Sequence, residues 1–185
     1  MRLFVAAAAV VVAGVGAVAW SRAASGGNEP DVVLDEPGNY LLPGLVTNPS
    51  LASGDLPDVT LLDAAGREVE LVPDGRPMVI NLWYSTCPPC ARELADFAAA
   101  HEALGRDVRF VGVNPRDTPD TMARFAADRG VTYELLRDPG GRFGEELDVV
   151  AYPATLFVDV DGTILESTGV IDERGLRDRA AELWP

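Results

Sequence analysis

The chain has 185 residues, of which 48% are hydrophobic and 24% are charged, which is typical of one globular domain with a shorter additional segment. With 29 acidic and 15 basic residues, its formal net charge of −14 makes nucleic acids and anionic lipid headgroups unfavourable partners. All basic residues are arginines, which excludes lysine Schiff bases and Gly-Lys-Ser/Thr phosphate loops. Two cysteines and one histidine cannot by themselves form a four-ligand Cys/His zinc site, and we expect neither a metal site nor a cofactor.

Residues 1–22 have the composition of an export segment. An uninterrupted apolar run extends from Leu3 to Trp20, and it lacks the polar face of a buried core helix. The run is long enough for an N-terminal membrane anchor, whereas Ala17-Val18-Ala19 resembles the cleavage site of a signal peptide. Both interpretations place the rest of the chain on the outer face of the cytoplasmic membrane, anchored there or secreted after cleavage.

Residues 23–56 contain several prolines and glycines without a sustained hydrophobic period, and we expect a flexible tether there. A folded domain is predicted over residues 57–185. It starts with a β-hairpin over Val59–Leu62 and Glu68–Val72, whose connecting loop ends in Gly66.

The next segments predict a parallel βαβ unit. Met78–Tyr84 is an almost continuous apolar run, as expected of a central strand covered on both faces. An amphipathic helix follows and stops at Gly105, and Val108–Val113 is a second buried strand. Strand, helix and strand at this spacing are typical of parallel pairing.

The second half of the domain predicts alternating short helices and strands. Thr118 and Pro119 have the pattern of a helix cap followed by a first-turn proline. Asp161-Gly162 predicts a turn between two antiparallel strands. The expected elements are a strand over Tyr133–Leu136, a helix over Phe143–Leu147, strands over Ala154–Val158 and Thr163–Glu166, and a C-terminal helix.

Cys87 and Cys90 form a Cys-Pro-Pro-Cys sequence where the central strand ends and the first helix begins. Three-residue spacing in a first helical turn brings two thiols within reach of a disulfide bond, and the helix terminus lowers the pKa of a thiol there. We predict Cys87 as the solvent-facing nucleophile and Cys90 as the more buried resolving thiol. A metal clip and two inert thiols are the alternatives to a redox pair.

Pro88 and Pro89 lie between the cysteines and lack amide protons that could donate to the Cys87 sulfur. The thiolate should therefore be less stabilised than in a pair surrounded by donors. A less stabilised dithiol form is more reducing, so the sequence predicts a reductant.

Two segments resemble the membrane-tethered TlpA/ResA branch of the thioredoxin superfamily. Residues 81–93 are similar to its active-site sequence, and residues 152–162 are similar to its cis-proline strand and following hairpin. The resemblance covers about residues 57–184. It implies an α/β thioredoxin-like fold with an N-terminal β-hairpin and a helix-strand insertion, here residues 118–136, before the cis-proline.

The resemblance also implies roles for individual residues. Pro153 would be the cis-proline facing Cys87, and the backbone of Tyr152 would pair with an extended segment of the partner. Judged on the sequence alone, Pro153 would be a trans proline at a strand start. Trp83, Pro88 and Pro89 complete the candidate substrate-binding set, although packing beneath the site is the more usual role of a tryptophan at position 83.

Three further polar residues have candidate roles near the cysteines. Glu93 occupies the position of an acid that relays protons in the family; the alternative is a solvated glutamate. Asn81 is expected to be a hydrogen-bonded buried amide, and His101 a residue at the edge of the core. Thr86 departs from the tryptophan that usually precedes the first cysteine, which bears on partner docking.

These observations predict an exported thiol-disulfide oxidoreductase that reduces protein disulfides. The resemblance implies apocytochrome c haem-site cysteines among the substrates and a membrane electron-transfer protein as the reductant. One alternative is a copper carrier, which would need Cys-x-x-x-Cys and a well-placed histidine. The other is a thiol peroxidase, whose usual threonine three residues before the nucleophile is here Tyr84.

Overall fold

The structure is a computed structural model, and it describes Asn48 and residues 54–185. The strands in chain order are β1 Gly54–Asp55, β2 Thr60–Leu62, β3 Glu68–Glu70, β4 Met78–Leu82, β5 Arg109–Asn114, β6 Glu134–Arg137, β7 Ala154–Val158 and β8 Thr163–Thr168. The helices are α1 Pro88–Leu104, α2 Pro119–Ala127, α3 Arg142–Glu146 and α4 Glu173–Leu183. The described strands form one sheet in the order β1-β8-β7-β4-β5-β6-β2-β3.

Strand β4 lies at the centre of this sheet. It pairs in parallel with β5 and antiparallel with β7, and all five of its residues are buried. This confirms the predicted central strand and the parallel βαβ unit. Side chains of a strand alternate between the two faces, so β4 contributes to a core on each side of the sheet.

The two cores contain different helices. One includes Ile80 and Leu82 of β4 together with Phe143 of α3. The other includes Val79 of β4 and buried residues of α1, α2 and α4, and it also contains both cysteines. The cysteines therefore lie at the edge of a packed helix layer, where α1 begins directly after the central strand.

The helix-strand insertion is confirmed. Helix α2 starts with Pro119 and is capped by Thr118, whose side chain accepts a hydrogen bond from the amide of Thr121. Strand β6 extends the sheet in parallel beside β5. The predicted hairpin is also present, with β2 and β3 antiparallel and Gly66 at a φ of 77°, a value that glycine adopts without strain.

The folded part of the chain begins earlier than the predicted domain start at residue 57. Strand β1 lies within the predicted tether and pairs antiparallel with β8, Gly54 opposite Ile164. Backbone pairing of two exposed residues produces no hydrophobic period, which is why the sequence pattern did not indicate this strand.

The predicted export segment, residues 1–22, and most of the predicted tether lie outside the described residues. Among the residues that are described, no helix combines the length and hydropathy that a membrane span requires.

Candidate active site

Cys87 and Cys90 form a disulfide bond at the start of α1. Their sulfur atoms are 2.04 Å apart and their Cα atoms 5.3 Å apart. Cys87 is the N-cap residue of the helix, with extended backbone dihedrals, and its amide donates to the carbonyl of Tyr84 at 3.1 Å. The strand-to-helix junction thus holds the first cysteine on a tight turn, as the sequence predicted.

The two prolines between the cysteines occupy the first positions of α1, where an amide has no acceptor within the helix. The amide of Cys90 is the first one available after them, and it donates to the Cys87 sulfur at 3.3 Å. Pro88 is exposed and Pro89 is half-buried. Both prolines therefore border the disulfide, and neither can donate a hydrogen bond to it.

The prediction that Cys87 faces solvent is wrong for this disulfide state. Cys87 is 3% exposed and Cys90 is 0% exposed. The sulfur of Cys87 lies 3.7 Å from the carbonyl oxygen of Tyr152, so the segment that precedes β7 covers it. The predicted order is kept, because Cys90 is the more deeply buried of the two.

The peptide bond between Tyr152 and Pro153 is cis, as the family resemblance implied, and the trans alternative does not apply. Pro153 is buried directly before β7, and β7 is the antiparallel neighbour of β4. Because the cysteines directly follow β4, the start of β7 meets them at the same edge of the sheet.

An aromatic group that sequence reasoning missed flanks the disulfide. The rings of Tyr84 and Tyr152 contact each other edge to face, with centroids 5.3 Å apart. The guanidinium of Arg116 lies 4.5 Å from the centroid of the Tyr84 ring, a cation–π geometry. Arg116 follows β5 in a loop without a sequence motif. It lies close to Tyr84 because β4 and β5 are parallel neighbours, so the segments that follow them meet at the same edge of the sheet.

Trp83 is fully buried and stacks on Phe125 of α2, with ring centroids 5.9 Å apart. A side chain without exposed surface cannot contact a bound partner, so the structure contradicts the placement of Trp83 among substrate-binding residues. The packing role weighed from the sequence is the one observed. Its position directly after β4 directs the indole under the helix layer instead of towards the surface.

Glu93 is buried on the inner side of α1, one turn after Cys90, and not solvated. One carboxylate oxygen accepts a hydrogen bond from the side-chain amide of Asn81 at 2.8 Å, and the other accepts one from the backbone amide of Ile171 at 3.3 Å. Burial raises the pKa of Glu93 to about 7, against the lowering effect of these two bonds; nearby Asp96 raises it slightly further.

Asn81 and His101 lie in environments close to those expected from the sequence. Asn81 is buried as predicted, but only its amide nitrogen is bonded; its side-chain oxygen has no hydrogen-bond partner within the described part of the chain. His101 is half-buried at the edge of the core, where its ring contacts those of Phe110 and Tyr133. Around the cysteines and elsewhere in the described residues, no three His, Cys, Asp or Glu side chains are grouped as metal ligands.

Asp117 holds the loop before Cys87, a contact that no sequence motif indicated. Its carboxylate accepts hydrogen bonds from the backbone amide and the hydroxyl of Ser85, both at 2.7 Å. The side-chain amide of Asn114 donates to the same carboxylate, also at 2.7 Å. The loop that leads into the insertion is thereby joined to the loop that precedes Cys87.

Replacing Asp117 by alanine should lower the free energy of unfolding by about 2 kcal/mol, because partly buried donors on Ser85 and Asn114 lose a charged acceptor. Urea unfolding of the oxidised chain measures this. The matched control is Asp120→Ala, an exposed acid in the first turn of α2, with an expected loss below about 1 kcal/mol. Equal losses for the two variants would show that the Ser85 contact contributes little.

The family model described as AhpC/TSA family matches residues 53–167, more than half of the chain. The chain belongs to the AhpC/TSA family. The match includes both cysteines, the insertion and the cis-proline, and its first residue agrees with the early start of the fold at β1.

Individual relatives of this AhpC/TSA-family chain are thiol:disulfide interchange proteins. Thiol:disulfide interchange protein HelX of Rhodobacter capsulatus is 37% identical over 94 residues, which are 50% of this chain and 51% of the relative. Thiol:disulfide interchange protein DsbE of Pseudomonas aeruginosa is 28% identical over 145 residues, 77% and 78% of the two chains. In the HelX alignment, therefore, the chain spans about half the length of its relative.

The fold is confirmed by solved structures. A secreted Mycobacterium tuberculosis disulfide oxidoreductase homologous to E. coli DsbE superposes with a TM-score of 0.59 at 25% identity, covering 68% of this chain and 96% of that one. The thioredoxin-like α/β fold and the resemblance to thiol-disulfide oxidoreductases of the thioredoxin superfamily are thus confirmed.

Proposed function

We propose that this chain is a thiol-disulfide oxidoreductase that uses Cys87 and Cys90 as its redox pair. The observation that carries the proposal is the disulfide at the N-terminus of α1, with the Cys87 sulfur 3.7 Å from the carbonyl of the residue before a cis-proline. An N-terminal helical turn stabilises a thiolate, and a thiolate is the species that exchanges with disulfides.

The proposed cycle transfers two electrons. In the dithiol form, the Cys87 thiolate attacks one sulfur of a substrate disulfide, forms a mixed disulfide and releases the other substrate sulfur as a thiolate. The Cys90 thiolate then attacks the Cys87 sulfur, which releases the second substrate thiolate and forms the Cys87–Cys90 disulfide. The substrate gains two electrons and two protons, and a dithiol electron donor later reduces the enzyme pair.

Glu93 is proposed to exchange a proton with Cys90 during this cycle. Cys90 must lose its proton to become an attacking thiolate, and a carboxylate with a pKa of about 7 can accept it near neutral pH. Glu93 lies one turn after Cys90 on the buried side of α1, where bulk water has little access. Its bonds to Asn81 and Ile171 hold the carboxylate in this position.

The partner is proposed to bind along the surface formed by Thr86, Pro88, Pro89 and the Tyr152–Pro153 segment. Thr86 and Pro88 are exposed beside the buried disulfide, and Tyr152 is half-buried. The family resemblance adds backbone pairing at Tyr152. The small side chain of Thr86 leaves more space at this surface than the tryptophan that is usual there.

We further propose that the chain is exported and acts as a reductant of protein disulfides, with apocytochrome c haem-site cysteines as one substrate class. The apolar run in residues 1–22 supports export, either as a membrane anchor or as a cleaved signal peptide. Reducing equivalents would come from a membrane electron-transfer protein, as in the family that the sequence resembles.

The reduction potential of the full chain tests the direction of electron flow. With Pro88 and Pro89 in place of two amide donors, we expect a value near or below about −230 mV. Equilibration with thiol redox buffers measures it, and the fluorescence of Trp83, buried in the same core as the cysteines, is the reporter.

A potential near about −120 mV, the range of strong oxidants, would overturn the proposed direction. The absence of a reversible disulfide would overturn the enzyme proposal itself. Copper titration of the reduced chain distinguishes the carrier alternative, and consumption of hydrogen peroxide distinguishes the peroxidase alternative.

A further inference from the structure

The side chain of Asn48 makes three hydrogen bonds to the backbone of one distant loop. Its oxygen accepts from the amides of Val150 and Ala151, and its nitrogen donates to the carbonyl of Ala151, each at 2.8 Å. The two partners are more than a hundred residues away in sequence. One amide side chain therefore uses both its donor and its acceptor on two consecutive residues.

These backbone groups directly precede the cis-proline segment at the disulfide. Val150 and Ala151 come immediately before Tyr152, whose carbonyl lies 3.7 Å from the Cys87 sulfur. The preceding amides of Asp148 and Val149 bond to carbonyls of α3, and β7 begins only at Ala154. Between α3 and β7, in the described structure, the side chain of Asn48 bonds the backbone amides of Val150 and Ala151 and the carbonyl of Ala151.

We propose that Asn48 is a positioning residue that fixes the edge on which the partner's extended segment docks beside Cys87. This inference rests on the proposed function. Pairing through the backbone of Tyr152 requires its amide and carbonyl to be held in place before the partner arrives, because ordering a loop on binding reduces affinity. Asn48 holds the adjoining residues Val150 and Ala151.

The chemistry of the contact requires an amide of this length. Aspartate would keep the acceptor for Val150 and Ala151 but would place a carboxylate oxygen against the Ala151 carbonyl, where Asn48 now donates. Alanine would remove all three bonds. Glutamine carries the same groups on a longer stem, which displaces them from these partners.

The test compares full chains carrying Asn48→Ala, Asn48→Asp and the control Asp63→Ala. The carboxylate of Asp63 likewise accepts hydrogen bonds from two backbone amides, those of Ala65 and Arg67, at 2.8 and 2.9 Å, but in the β2–β3 turn. The substrate is an oxidised peptide with a Cys-x-x-Cys-His sequence, and the reduction of Cys87–Cys90 by dithiothreitol is measured separately. Circular dichroism and thermal unfolding establish that each variant is folded.

Both Asn48 variants are expected to raise KM for the peptide about tenfold, the effect of losing one or two net hydrogen bonds, with kcat changed less than about twofold. Their reduction potential should match that of the unsubstituted chain and of Asp63→Ala, whereas dithiothreitol should reduce their disulfide at least as fast, because the segment that covers the Cys87 sulfur is held less firmly. An unchanged KM in folded Asn48 variants would overturn the inference. A reduction potential that shifts together with KM, or slower reduction by dithiothreitol, would also overturn it, since either result indicates a general structural role.

The outcome for the unsubstituted chain separates this inference from the proposed function. If that chain does not reduce the peptide although dithiothreitol reduces its disulfide, the proposed function fails, and the inference with it. If the unsubstituted chain reduces the peptide and the Asn48 variants have the same KM as the Asp63 control, the proposed function stands and the positioning role of Asn48 is wrong.

Discussion

A chain in which Cys90 is replaced by serine is expected to accumulate a mixed disulfide between Cys87 and its substrate. The Cys87 thiolate can still attack, but no second thiolate remains to release the product, so multiple turnover is lost. Non-reducing gel electrophoresis and mass spectrometry after incubation with the oxidised peptide measure the adduct. The adduct should disappear when dithiothreitol is added.

The matched control is Cys87→Ser, which should form no adduct and should also lose turnover. Both variants lack the same disulfide, so a difference between them reports the roles of the two sulfurs and not the loss of the crosslink. If Cys87→Ser formed the adduct and Cys90→Ser did not, the assignment of nucleophile and resolving thiol would be reversed.

Glu93→Gln is expected to remove a pH dependence from the stability of the oxidised chain. The folded pKa of Glu93, about 7, lies above its ordinary value of 4.5, so the folded state binds the proton more tightly than the unfolded state. Stability therefore falls as the pH rises from about 4.5 to about 7 and then levels off. Between about pH 5 and pH 8 the loss from this group is about 2 to 3 kcal/mol.

Urea unfolding of both chains at several pH values measures this effect. Burial lowers the pKa of His101, which contributes an opposite slope below its ordinary value, and the difference between the two chains removes that contribution. Exposed Glu102 on the same helix provides the control variant Glu102→Gln, which should follow the unsubstituted chain. A constant difference between Glu93→Gln and the unsubstituted chain at all pH values would contradict the raised pKa.

The sequence predicts those parts of the fold in which local pattern and burial coincide. The apolar run at residues 78–84 contains the buried central strand Met78–Leu82, and Thr118-Pro119 forms a capped helix start. Strand β1 carries no such pattern, because two exposed residues pair only through their backbone. The domain boundary was therefore placed a few residues too late.

The residues of the candidate site likewise divide into those that a local sequence pattern indicates and those that it does not. The chemistry of Cys87 and Cys90 is tied to a short motif that the sequence shows directly, whereas Pro153 is a candidate only through the family resemblance. Asn48 and Asp117 were missed, because an asparagine or aspartate that bonds a distant backbone has no local signature. For Trp83 the sequence offers both substrate contact and packing beneath the site, and its complete burial shows that packing is its role.

The 3% exposure of Cys87 in the disulfide state limits which thiols can reduce this disulfide quickly. Exchange requires the incoming thiolate to approach the sulfur along the disulfide axis, so coverage by the Tyr152 segment slows collisions with free small thiols. A partner that docks at that segment and displaces its cover gains access that such thiols lack. Burial of the oxidised pair would thus favour electron exchange with proteins that dock at this segment over exchange with small thiols in the surrounding solution.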